Sequence, residues 1–134
     1  GDVITQTFIT DRPFNHVGVK VYNDAGTTNE SIYRMELLSE GGDILSHRDF
    51  IGAEVENGGY CYLKFDDIIP NGKETYMIQL TPLHTTETSV LMFGYYNTHQ
   101  YDIYNDGIMT GLNSDARTDL AFTVFQTITS GYFH

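Results

Sequence analysis

The chain has 134 residues, a length typical of one domain with its own buried core. Its 18 acidic residues against 7 basic ones give a formal net charge of −11, which disfavours nucleic acid and anionic lipid headgroups as partners because both are negatively charged. A hydrophobic content of 40% and an aromatic content of 13% argue against a disordered chain.

Apolar and polar residues alternate along most of the chain, which is the pattern of antiparallel strands with one buried face. In HVGVKVY (16–22), for example, Val17, Val19 and Val21 share one face. Strands are predicted, in chain order, at 4–9, 16–22, 31–38, 44–50, 60–66, 75–81, 89–96 and 119–125. No window repeats apolar residues at helical spacing, and only 49–56 (DFIGAEVE) fits a single helical turn.

The segments between these strands are rich in Gly, Asn and Asp, which tolerate the backbone conformations of tight turns. Asn71-Gly72, between the strands at 60–66 and 75–81, is the strongest hairpin signal. We therefore predict one all-β domain over 1–134, a two-sheet antiparallel β-sandwich of jelly-roll type with about eight or nine strands. In that arrangement the first and last strands are expected to pair. The chain begins Gly-Asp-Val, and we interpret it as a piece of a longer protein.

The single cysteine, Cys61, allows no disulfide within the chain and no Cys-based zinc site. In YCYLKF it shares one strand face with Leu63 and Phe65, so we interpret it as a small core-facing hydrophobe rather than a nucleophile. The opposite face of the same strand carries Tyr60, Tyr62 and Lys64.

A tyrosine-rich stretch, YYNTHQYDIYNDG (95–107), is the strongest candidate binding segment. Proteins hold sugars by stacking aromatic rings on the apolar face of the sugar ring while amides and carboxylates bond its hydroxyls. The candidate ligand-binding residues are Tyr95, Tyr96, His99, Tyr101 and Tyr104 as platforms, with Asp102 and Asn105 as hydroxyl partners. Alternatively, these tyrosines lie on the surface of an ordinary sheet, because tyrosine is a good strand former and its hydroxyl tolerates water.

Metal and catalytic chemistry find little support in the sequence. One oxygen-rich loop, with Asn23, Asp24, Asn29 and Glu30, leaves a structural calcium ion as an alternative, but without the spacing of a known calcium loop. The five histidines are scattered, and no nucleophile elbow or phosphate-binding loop is present. We therefore predict no enzyme activity, no catalytic residues and no cofactor. No run of about 18 apolar residues occurs, so we expect no membrane insertion of this segment.

Several segments together resemble a known kind of domain. They are Gln6-Thr7-Phe8, FNHVGVKV, MELLSEGGDIL, KETYMIQLTP, Tyr104-Asn105-Asp106-Gly107 and the closing Asp-Leu-Ala-Phe at 119–122. The chain resembles the largely uncharacterised jelly-roll β-sandwich domains inserted, outside the cytoplasm, in large bacterial membrane proteins of the glycosyltransferase kind. The resemblance implies an extracytoplasmic location, at the cell surface or in the periplasm, and supplies no catalytic residues.

Taken together, these features predict a non-enzymatic extracytoplasmic module that weakly recognises a cell-envelope or host glycan. The alternative belongs to another class. In it, the chain is a structural or protein-interaction domain of a larger membrane protein, without a small-molecule ligand. Its exposed tyrosines would then contact a protein partner or neighbouring membrane segments, since tyrosine is common at protein interfaces.

Overall fold

The alternating sequence folds into β-strands throughout the part of the chain that the computed structural model describes, residues 3–97, 109–110 and 118–127. The strands are Ile4–Thr10 (β1), Phe14–Tyr22 (β2), Ile32–Ser39 (β3), Ile44–Ile51 (β4), Tyr60–Ile68 (β5), Glu74–His84 (β6), Met92–Phe93 (β7), Tyr95–Asn97 (β8), Met109–Thr110 (β9), Thr118–Leu120 (β10) and Phe122–Phe125 (β11). Six of the eight predicted strands are confirmed as single strands, and each of the other two, at 89–96 and 119–125, is found as two shorter strands. The predicted helical turn within 49–56 is also found, as a 3-10 turn at Gly52–Glu54, and a second 3-10 turn lies at Gly26–Thr28.

Two antiparallel layers form an all-β sandwich. The first sheet has the strand order β4-β3-β6-β1-β9. The second layer has the order β11-β2-β5, with β7 also paired to β2, and a short β8–β10 ladder adjoins it. Among the described residues no helix is long and apolar enough to cross a membrane.

The core lies between the layers and is built from the faces that alternation predicts. On β2, Val17, Val19 and Val21 are all fully buried. Met35, Leu37, Leu63, Ile78 and Leu80 come from β3, β5 and β6 to meet them. Each fully buried side chain of this size contributes about 1.5–3 kcal/mol relative to exposure. Burial on this scale fixes which face of every long strand points inward.

The predicted hairpin at Asn71-Gly72 is wrong. Gly72 does adopt a left-handed turn conformation, with a φ of 75°. However, β5 pairs with β2 in the second layer, while β6 pairs with β1 and β3 in the first sheet. The turn therefore carries the chain from one layer to the other, because the apolar faces of β5 and β6 face each other across the core. A true hairpin joins β3 to β4 instead.

The expected pairing of the first and last strands is also wrong. The first strand, β1, pairs with β6 and β9, whereas β11 pairs with β2 in the other layer. The two ends meet through a side chain rather than a ladder. The buried Gln6 accepts a hydrogen bond from the backbone N–H of Leu120 at 2.8 Å.

A branch point interrupts the edge of the second layer. Strands β7 and β11 lie end to end along one edge of β2, pairing with residues 21–22 and 16–19 respectively. Between them, Gly94 donates to Lys20 O at 2.9 Å, Lys20 donates to Ala121 O at 3.0 Å, and Ala121 donates to Gly94 O at 2.9 Å. The predicted strands 89–96 and 119–125 are therefore each broken in two, and the β8–β10 ladder leaves the sheet at this point.

Candidate functional site

The predicted tyrosine-rich site is only partly covered by the structure. Tyr95 and Tyr96 lie in β8, where their backbones pair with Leu120 and Asp119 of β10. The remaining candidates, His99, Tyr101, Asp102, Tyr104 and Asn105, lie outside the described residues. The assignment of a ligand site to this stretch stays a prediction. The stretch begins one residue after Gly94, at the branch point on the edge of β2.

A second group of aromatic side chains lies on the outer surface of the second layer. It consists of His16 from β2, Tyr60 and Tyr62 from β5, and Phe125 from β11, and we call it the aromatic face. These four residues alternate with core residues along their strands, so their rings point away from the core. Tyr60 is 37% exposed, and the other three rings are partly buried against one another.

Tyr62 is positioned by a glycine on the neighbouring strand. Gly18 pairs with Tyr62 in the β2–β5 register. A Cβ atom on Gly18 would lie 2.6 Å from both Cδ1 and Cε1 of the Tyr62 ring, far inside van der Waals contact. The ring therefore lies across the β2 backbone at a place that only glycine leaves open.

The rings of the aromatic face support one another. Tyr60 and Tyr62 are nearly parallel, with an interplanar angle of 20° and ring centroids 6.0 Å apart. His16 stacks on Phe125 at 4.6 Å and 10°, and Phe125 meets Tyr62 edge-on at 5.9 Å and 87°. Such pairs contribute about 0.5–1.5 kcal/mol each beyond their buried area. These contacts between the rings therefore stabilise their arrangement on the outer surface of the sheet.

The alternation in YCYLKF predicts that Tyr60, Tyr62 and Lys64 share one strand face, but no motif in the sequence assigns them a role. The sequence feature that could have identified the site is the glycine in HVGVKVY, which leaves room for an aromatic ring if this strand pairs with YCYLKF so that Gly18 lies opposite Tyr62. Both strands carry aromatic or imidazole groups on the side opposite their valines, cysteine and leucine. Their adjacency depends on the β2–β5 register, which the sequence does not show.

The oxygen-rich loop considered for calcium is explained by buried hydrogen bonds. The Asn23 amide donates to the Gly52 and Val55 carbonyls at 2.8 Å each. Its Oδ1 accepts from the Asn29 amide at 2.9 Å, and that amide also donates to Val90 O at 2.8 Å. Both asparagines are buried, so their side chains join three loops at one end of the sandwich. Within the described part of the chain, no group of three His, Cys, Asp or Glu residues could hold a metal ion.

Cys61 is partly buried and packs against the core, as its alternation predicted. Burial raises the pKa of its thiol to about 11, with a smaller opposing effect from the charge of Arg48. At neutral pH the group is therefore a thiol and not the thiolate needed for nucleophilic attack.

A cleft lies at the end of the sandwich, beside the β3–β4 turn and the connection from β5 to β6. Its volume is about 780 Å³, and Phe65, Tyr76 and Glu74 are among its lining residues. The Tyr76 hydroxyl donates to Glu74 Oε2 at 3.0 Å. Burial, followed by this carboxylate, raises the pKa of Tyr76 to about 12, so the phenol stays protonated at physiological pH. Tyr76 is therefore a neutral hydrogen-bond donor to Glu74. It is not a general acid or base, because that role needs a pKa near the working pH.

A scan against protein-family models found no match to this chain. A search of curated protein sequences found none either.

Proposed function

We propose that this domain is a non-enzymatic module that binds a glycan on its aromatic face. The observation that carries the proposal is the nearly parallel pair of Tyr60 and Tyr62 on the outside of the sheet, with Tyr62 seated over Gly18. Tyrosine rings offer apolar area to the C–H faces of a sugar and keep a hydroxyl for its polar groups. They also lose little conformational entropy on binding, because each ring has only two side-chain torsions.

A plain sheet surface is the rival interpretation, since single exposed tyrosines are common on strands. Two features favour binding over that interpretation. The rings form a contiguous group instead of standing singly, and a glycine lies beneath the central one. An open sheet surface covers only one side of a ligand, so the expected affinity is weak, on the order of micromolar to millimolar.

We propose an extracytoplasmic location within a larger protein on the strength of the resemblance to jelly-roll inserts of bacterial membrane proteins. Two of the segments that carry the resemblance are in contact in the fold. Gln6 of the opening Gln-x-Phe segment accepts a hydrogen bond from Leu120 of the closing Asp-Leu-Ala-Phe segment. Gln6 and Leu120 thus have a structural role in these two segments that does not depend on any ligand.

A protein-interaction role is the second candidate, and strand β4 favours it. This edge strand pairs only with β3 among the described strands and exposes Ile44, Leu45 and Ile51. Exposed apolar groups beside free backbone groups suit contact with another protein chain.

The test is a glycan-array screen of the folded domain and three variants. The Tyr60→Ala/Tyr62→Ala variant removes the platform, and Tyr101→Ala/Tyr104→Ala removes part of the tyrosine-rich stretch. Ile69→Ala is the control, because Ile69 is 74% exposed and lines the cleft at the end of the sandwich rather than the aromatic face. We expect the first variant to lose signal and the control to keep it. Loss only in the second variant would move the site to 95–105, and a silent array from folded protein would favour the protein-interaction role.

A further inference from the structure

A small cavity beside the aromatic face is lined by basic side chains. It has a volume of about 420 Å³, and its lining residues are Ser46, His47, Arg48, Tyr62, Leu63 and Lys64. None of these described lining residues is acidic, although acidic residues outnumber basic ones 18 to 7 in the chain. The cavity adjoins the same Tyr62 whose ring forms the centre of the aromatic face.

Arg48 reaches this cavity from the other layer. It lies on edge strand β4, and its Nη1 donates to the backbone oxygen of Tyr62 on β5 at 3.2 Å. This bond uses one of the five N–H donors of a guanidinium group, and a planar guanidinium is suited to bind a carboxylate through two parallel bonds. Arg48 therefore links the two layers at this edge, and its guanidinium has further N–H donors for the cavity that it lines.

Lys64 supplies a second positive charge. It follows Tyr62 by two positions on the same outward face of β5 and pairs in register with His16. Among the described residues, the ion pair that forms joins Arg34 to Asp49. Within that part of the chain, Lys64 and Arg48 therefore make no ion pair with a carboxylate. The next acidic residues of β5, Asp66 and Asp67, do not line this cavity, and Asp67 accepts from the Asn15 amide at 3.0 Å.

We propose that the cavity formed by Arg48, Lys64 and Ser46 binds the carboxylate of an acidic sugar whose ring rests on Tyr62. The inference rests on the proposed glycan-binding function and names its ligand class. A guanidinium and an ammonium beside a hydroxyl donor match a carboxylate in charge and in hydrogen-bond capacity. The net negative charge of the chain does not forbid this, because charges farther than about 8 Å are largely screened at physiological salt.

The carboxylate can belong to a uronic acid within a polysaccharide or to a terminal sialic acid. The test therefore titrates the folded domain with two matched pairs of probes and follows binding by NMR chemical shifts. One pair is trigalacturonic acid and its methyl ester, and the other is sialyllactose and lactose. We expect the charged member of at least one pair to bind about fivefold more tightly than its neutral partner, the size of an exposed charge contact.

Variants assign the preference to the cavity. Lys64→Gln is expected to lower the affinity for the charged probe and so to remove most of its preference over the neutral probe. Lys73→Gln is the matched control, because it makes the same charge change beside the cleft at the end of the sandwich. Equal effects of the two lysine changes would overturn the inference, since they would show a general field and not a site.

The outcomes separate this inference from the proposed function. If charged and neutral probes bind equally and the Tyr60→Ala/Tyr62→Ala variant loses both, the acidic-sugar inference fails and glycan binding stands. If no probe binds, both fail. If charged probes bind through Lys64 without any effect of the tyrosine changes, the aromatic face is not the platform and both are overturned as stated.

Discussion

The side chain of Gln6, fully buried in β1, accepts a 2.8 Å hydrogen bond from the backbone N–H of Leu120 in β10. Its amide group in turn donates to the Thr7 carbonyl at 2.9 Å. One buried polar side chain thus connects the two ends of the described chain without a strand ladder between them. Because the surroundings exclude water, the Leu120 N–H depends on this one acceptor.

Replacing Gln6 by leucine should lower stability. The change keeps a similar volume but leaves the Leu120 N–H buried without an acceptor, which costs about 1–3 kcal/mol. The measurement is the denaturant midpoint from chemical unfolding, compared with Gln79→Leu as the control. Gln79 is only partly buried and makes a 3.3 Å contact with Glu36, so its replacement should change stability little. Equal decreases of the denaturant midpoint in the two variants would show that the Gln6–Leu120 hydrogen bond contributes no more to stability than the Gln79–Glu36 contact.

Replacing Gly18 by alanine should destabilise the domain, although alanine is normally more favourable than glycine in the interior of a strand. The added Cβ would lie 2.6 Å from the Tyr62 ring and 3.2 Å from Thr123 Cγ2, so the ring must leave its position. We expect a loss of about 1–2 kcal/mol by thermal or chemical unfolding, as for other overpacked sites. Glycan binding should fall together with it.

Gly41→Ala is the control for this substitution. Its nearest contact is Ser39 Oγ at 3.9 Å, so the added methyl group has room. If the Gly18→Ala variant had the same affinity for glycans as the unmodified domain, the position of the Tyr62 ring over Gly18 would have no role in recognition.

Replacing Asn23 by alanine should strongly destabilise one end of the sandwich. The side chain donates to Gly52 O and Val55 O and accepts from Asn29 and from the Gly26 N–H. Removing several buried bonds at once is expected to cost about 3 kcal/mol. The thermal midpoint measures the loss, and Asn71→Ala, at an exposed turn position, serves as the comparison. A small effect at Asn23 would mean that water replaces the amide at this loop junction.

The Cys61 thiol should react slowly in the native protein. Its pKa is raised from 9.0 to about 11 by burial, so at pH 8 the native thiolate fraction is about one hundredfold lower than in the unfolded chain. Alkylation by iodoacetamide, followed by mass spectrometry with and without denaturant, measures the difference. Fast native labelling would contradict the core-facing placement.

The same shift makes stability depend on alkaline pH. The folded state retains the proton more strongly than the unfolded state, so this contribution is fully present below pH 9 and is lost as the pH rises towards about 11. Cys61→Ala should weaken that dependence. An unchanged slope of stability with pH in the alanine variant would assign the effect to other groups, such as Tyr76.

Particular residues show where sequence-based prediction succeeds and where it fails. The valines of HVGVKVY and the buried residues of β3 and β6 follow a period of two, so the strands and their inward faces were predictable from local pattern alone. The local turn chemistry of Asn71-Gly72 predicts a hairpin, whereas the partners of β5 and β6 are set by contacts across the core. The breaks at Gly94 and Ala121 follow from hydrogen bonds to Lys20, which is distant in sequence.

The order of side chains along the sequence therefore determined that this chain forms strands, which faces they bury, and that it carries a strong excess of negative charge. Tertiary structure alone decided which strands became neighbours. The arrangement of neighbours placed Tyr62 over Gly18 and packed its ring edge-on against Phe125, which in turn stacks on His16. It also brought Arg48 from the opposite layer to the Tyr62 backbone oxygen. The physical reason is that alternation acts between adjacent residues, while strand register results from burying all apolar faces at once.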